Sequence, residues 1–125
     1  MRKTLATTAG LILAAAATLV TVPTAAHAAA PCARGNFCAY TDANFGGLGV
    51  SWSGDDGWWE GNIADQDSSW ANHGISGPGI KDHVKVYASA WQGGGVTICL
   101  RPGQEVGYNA GANDRGDSHI WTTGC

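Results

Sequence analysis

Two short stretches concentrate oxygen donors, Asn113-Asp114-Arg115-Gly116-Asp117-Ser118 and Asp65-Gln66-Asp67-Ser68-Ser69. Asp, Asn and Ser at this spacing suit a hard divalent cation such as calcium, which takes about six to eight oxygens from side chains and backbone carbonyls. The same side chains can simply hold turns by bonding to backbone N–H groups, with no metal. A third stretch, Thr97-Ile98-Cys99-Leu100-Arg101-Pro102-Gly103, sets a cysteine, an apolar residue and a cation in a row before Pro and Gly. Stapled at Cys99 and stiffened by Pro102, it would present Leu100 to a partner's pocket at little ordering cost. The competing reading has Ile98 and Leu100 as inward residues of a strand and Cys99 as a plain staple.

Catalysis has little support. His73, His83 and His119 belong to no G-x-S-x-G elbow, HExxH helix or Cys/His pattern, and their rings are expected at the surface. Asp55 and Asp56 are adjacent, so in a strand they would point to opposite faces. The chain is therefore expected not to be an enzyme. Of its six tryptophans, Trp52, Trp70, Trp91 and Trp121 fall at strand-like positions and are expected in the core. Trp58 and Trp59 lie in the Gly-bounded insertion Gly54–Gly61, where neighbouring side chains cannot both face one core. They form a candidate ligand patch, of the kind that stacks on sugar faces.

These residues must be carried by a small framework. The chain has 125 residues, enough for one domain, with 19 Gly and a formal net charge of -3. Seven Lys and Arg are too few for a nucleic-acid face. Residues 1–28 read as a secretory signal: Arg2 and Lys3, an apolar run from Leu11 to Val22, then Ala26-His27-Ala28 as an A-x-A cleavage site. The apolar run is shorter than the ~20 residues of a membrane span. A secreted protein is expected, without membrane attachment once the signal is removed, monomeric, with residues 29–125 as a single domain. Export exposes four cysteines to oxidation, and four permit three pairings. The closeness of Cys32 and Cys38 favours a local bridge, which leaves Cys99 with Cys125.

The chain after the signal reads twice. One copy runs from Cys38-Ala39-Tyr40 through Asn44-Phe45-Gly46-Gly47 to Ser68-Ser69-Trp70, the other from Val86-Tyr87 through Trp91-Gln92-Gly93-Gly94 to Asp117-Ser118. Short alternating strands with Gly turns at this spacing predict an all-β, two-sheet sandwich. Tyr40, Phe45 and Gly47 fit the aromatic-xxxx-aromatic-x-Gly signature, so the chain resembles the βγ-crystallins. That resemblance implies two Greek key motifs, over about residues 36–75 and 83–125. The second copy departs from the signature: Tyr87 and Trp91 are separated by three residues, or else Val86 fills the first position. The resemblance also implies calcium ligands shared between the two turns, Asn113, Asp114, Asp117 and Ser118 with Asp65 and Ser68. Ala64 stands where an acid or amide is expected, and Asp117 replaces a hydroxyl. Calcium is the only cofactor suggested, and none is required.

A narrower resemblance rests on the Cys-x5-Cys loop, the Tyr40 and Asn-Phe-Gly-Gly segments, Cys-Leu-Arg-Pro-Gly and Asn-Asp-Arg. Together they are similar to peptidase inhibitor family I36, which includes a secreted inhibitor of thermolysin-like metalloproteases. The resemblance implies a secreted protease as partner and Cys99, Leu100 and Arg101 as the inhibitory segment. The rival expectations are a calcium-binding or carbohydrate- and cell-wall-binding module, or a small secreted toxin on the same fold.

Overall fold

The computed structural model describes residues 29–125, and the expected signal over 1–28 lies outside them. Among the described residues, seven strands form two antiparallel sheets: β1 (Phe37–Tyr40), β2 (Gly49–Trp52), β3 (Ser69–Asn72), β4 (His83–Ser89), β5 (Gly93–Leu100), β6 (Glu105–Val106) and β7 (Ser118–Thr122). The first sheet has the order β2-β1-β3-β6 and the second β5-β4-β7. β6, from the second copy, completes the first copy's sheet beside β3. In return Asp56, from the first copy, bridges to His119 of β7. This exchange locks the two Greek keys into one body.

Alternation explains what each strand buries. Val84 and Val86 of β4 point inward, while the alternate residues Lys85 and Tyr87 are half-buried. β1 is buried at all four positions because both its faces are covered. Phe37 and Ala39 enter the core between the sheets, with Trp59, Ile63, Trp70, Val84 and Leu100. Cys38 and Tyr40 pack outward under Ala30, Cys32 and Phe45. Both disulfides are present, Cys32–Cys38 and Cys99–Cys125.

The folded hairpin that follows the first strand of each copy fixes how the copies align. Asn44 and Phe45 adopt φ of 55° and 64°, and Trp91 and Gln92 adopt 55° and 59°. Ser69 Oγ accepts the Phe45 N–H at 2.9 Å and donates to the Asp42 carbonyl at 2.7 Å. Ser118 Oγ likewise accepts the Gln92 N–H at 3.1 Å and donates to the Ser89 carbonyl at 2.7 Å. Gln92 therefore occupies the place of Phe45, and Trp91 that of Asn44. This corrects the sequence expectation for Trp91, which is 71% exposed rather than core. Gly47 and Gly94 close the two hairpins at φ 71° and 75°. A Cβ on Gly47 would collide with Thr41 Oγ1.

Two further expectations are corrected. His119 is fully buried instead of lying at the surface, because β7 runs through the aromatic core. Leu100 is also fully buried, at the inner end of β5 opposite Val84.

Candidate functional site

The two oxygen-rich turns meet. The Asp65 N–H donates to the Gly116 carbonyl at 2.8 Å, and the Asp114 N–H donates to the Asp67 carbonyl at 2.8 Å. These bonds are equivalent under the exchange of the two copies, and both donors sit at left-handed φ, 56° and 58°. The pairing places Asp65 of one turn beside Asp117 of the other, on the wall of one cleft. Burial first, and Asp65 beside it second, hold the Asp117 carboxyl above its ordinary range. A carboxylate raised by a neighbouring one is relieved by a cation between them.

The remaining expected ligands divide. Asp114 opens with Asp65 and Asp42 onto a cleft that also contains Asn62 and Gln66. Asp117 and Asp65 line a second cleft of about 270 Å³ beside Trp58 and Trp59. The Ser118 hydroxyl is buried and engaged on both sides as the hairpin lock, so the expectation that its side chain ligates calcium is corrected. Ser68 contributes its N–H to the Tyr40 carbonyl, and Asn113 Oδ1 is buried without a partner. Among the described residues, no group of three or more His, Cys, Asp or Glu side chains could hold a metal ion. Calcium coordination here would have to draw on backbone carbonyls as well as on Asp65 and Asp117.

Asp67, which the sequence did not single out, is fully buried between the turns. One carboxylate oxygen accepts the Trp70 indole N–H at 2.7 Å and the other the Gly116 N–H at 2.8 Å. Burial raises its pKa, and these bonds oppose the rise. Its place directly before Ser-Ser-Trp was the available signal.

The Thr97–Gly103 segment splits into a buried and an exposed half. Leu100 cannot enter a partner's pocket without leaving the core, so the inhibitory segment expected at Cys99, Leu100 and Arg101 loses its apolar anchor. Arg101 is exposed at the start of a tight turn. Its N–H donates to Gln104 Oε1 at 2.9 Å, and its carbonyl accepts the Gln104 N–H at 3.0 Å. The Gly103 N–H, at φ 77°, ties the turn to the Asn72 carbonyl.

The tryptophan patch also changes membership. Trp59 is 2% exposed, stacked 4.8 Å from Trp52, whereas Trp58 is 62% exposed. Trp91 is exposed as well; its ring lies over Gly57, the residue before Trp58, and its backbone N–H donates to the Gly57 carbonyl. The exposed tryptophans are therefore Trp58 and Trp91.

The family model for peptidase inhibitor family I36 matches residues 25–99. No curated protein matches the sequence. Among solved structures, the chain is similar to a βγ-crystallin from an archaeon, with TM-score 0.56 and 23% identity over 71% of this chain and 99% of that one. It is similar to a βγ-crystallin from Ciona intestinalis, with TM-score 0.55 and 18% identity over 70% and 99%. A βγ-crystallin domain from Clostridium beijerinckii matches at TM-score 0.53 and 23% identity, over 68% and 94%. At these identities the likeness is one of fold.

Proposed function

This chain belongs to peptidase inhibitor family I36, and from that premise we propose that it is a secreted, non-catalytic inhibitor that binds an extracellular metalloprotease tightly. The observation that carries the reading is pre-organisation at Asn72. This residue is fully buried, and its backbone holds the exposed Arg101–Gln104 turn through two bonds, to the Gly103 N–H and from its own N–H to the Gln104 carbonyl. A surface already ordered before binding spends little free energy on immobilisation, which is what tight inhibition requires. The Cys99–Cys125 bridge adjoins the same turn. The test is an inhibition panel with the oxidised protein against a thermolysin-like metalloprotease, a subtilisin-like serine protease and trypsin. Tight inhibition of the metalloprotease is expected, and inhibition of none of the three defeats the reading.

Calcium binding is a second reading, favoured by the proximity of Asp65 and Asp117 on one cleft. These two residues would hold the ion, which would relieve their mutual repulsion. Retention on an insoluble polysaccharide would assign carbohydrate binding to the exposed Trp58 and Trp91.

A further inference from the structure

We infer that the loop joining the two Greek keys, Gly74–Lys81, is the segment that enters the protease cleft, with Ile75 as its apolar anchor. The inference rests on the inhibitor reading and adds to its Arg101–Gln104 turn a second segment held by the same residue, Asn72. With Leu100 buried, an enzyme whose pocket selects an aliphatic side chain must find that side chain elsewhere.

The loop is closed at its base by two buried residues. Asn72 Oδ1 accepts the Gly74 N–H at 2.9 Å, and Asn72 Nδ2 donates to the Asp82 carbonyl at 2.8 Å, so one side chain ties the two ends together. The Asp82 carboxylate, 6% exposed, reaches back into the loop to accept from Ser76 Oγ at 3.2 Å and from the Gly77 N–H at 3.4 Å. Its other oxygen accepts from His83 Nδ1 at 2.7 Å. The far end is a Pro-Gly turn. Pro78 and Gly79, the latter at φ 71°, are bracketed by a bond from the Ile80 N–H to the Gly77 carbonyl at 3.2 Å. Ile80, itself 45% exposed, folds back over Gly77, where an added Cβ would lie 2.6 Å from its Cδ1, and so is tied to the turn rather than free of it.

Ile75 stands between these fixed points and is 54% exposed. Gly74 before it is pressed against the Trp121 ring, where a Cβ would not fit. Neither the N–H nor the carbonyl of Ile75 bonds to another described residue. An exposed aliphatic side chain on a stretch with free backbone groups, held at both ends, is what a protease accepts when it pairs with a substrate as an added strand. Anchoring of the flanks removes most of the ordering cost.

The experiment measures the inhibition constant of the oxidised protein against a thermolysin-like metalloprotease. Ile75→Ser is expected to weaken inhibition by about 30-fold or more, the scale of a buried anchor residue, and Ile75→Leu to retain it. Leu48→Ser removes a similarly exposed apolar side chain elsewhere on the surface and is expected to change nothing. Melting curves confirm that each variant is folded. If the parent inhibits and Ile75→Ser inhibits equally well, the loop assignment falls while the inhibitor reading stands. If the parent inhibits only trypsin, and Lys81→Ala abolishes that inhibition, the metalloprotease anchor is overturned. If the parent inhibits no protease, both readings fall together.

Discussion

The indole N–H of Trp59 donates to Nδ1 of His119 at 2.9 Å, across 60 residues of sequence and within the core. It links the insertion of the first Greek key to the last strand of the second. Because Nδ1 accepts, Nε2 carries the proton and donates to the Gly54 carbonyl at 2.8 Å. The ring is therefore neutral, and burial holds its pKa below the ordinary 6.5.

That tautomer sets a pH dependence. The unfolded chain takes up a proton on His119 before the folded one does, so this contribution to stability is full above about pH 6.5 and is lost as pH falls towards the folded value. His119→Asn keeps an acceptor for Trp59 but no longer titrates. Denaturant melts across this range should show the parent losing stability on acidification and the variant, although weaker overall, giving a flatter profile. Equal slopes would show that His119 is not the titrating group.

Leu100 now makes a prediction about stability. Truncation of this fully buried side chain by Leu100→Ala should cost about 2–5 kcal/mol, the range for large-to-small changes in a packed core. At temperatures where the variant remains folded, its inhibition constant should match the parent's. A surface role would give the reverse, little loss of stability with a large loss of inhibition.

The two disulfides should differ in worth. Cys32–Cys38 closes a separation of 6 residues and Cys99–Cys125 one of 26. On the loop-entropy account they contribute about 2 and about 3.5 kcal/mol respectively. Paired Cys→Ser variants measured by urea denaturation test the order, and a larger loss at Cys32–Cys38 would mean that packing of the amino-terminal arm outweighs loop closure.

Calcium should raise the melting temperature if Asp65 and Asp117 hold it. Binding to the native state alone contributes about 2.7 kcal/mol at a hundredfold excess over Kd. Asp117→Asn should remove the response, and it should also stabilise the calcium-free protein by relieving the repulsion from Asp65. Identical melts with calcium and with chelator would leave the paired turns as structural elements only.

The sequence by itself determined the features that local chemistry or repetition controls. Alternating residues within a doubled pattern specify short strands, and two similar halves specify two Greek keys. Cysteines as close as Cys32 and Cys38 favour each other, which leaves Cys99 for Cys125. Tyr40, Phe45 and Gly47 fixed the first hairpin because an aromatic lid and a left-handed glycine are needed within a few residues of each other. In the second hairpin the 47-residue offset of Tyr40 and Tyr87 holds, but Gln92 and not Trp91 takes the place of Phe45, because the Ser118 hydrogen bond requires only a backbone N–H there. Only the tertiary structure decided which apolar residues remain outside. Leu100 and Ile75 are both aliphatic residues near a turn, but the facing sheet covers the first while the clamp of Asn72 and Asp82 holds the second away from the core. Trp59 and Trp58 are neighbours in sequence with opposite fates, since His119, 60 residues beyond Trp59, supplies the buried acceptor that one indole needs. Burial is a property of what packs on a residue from distant parts of the chain, and no local pattern encodes that partner.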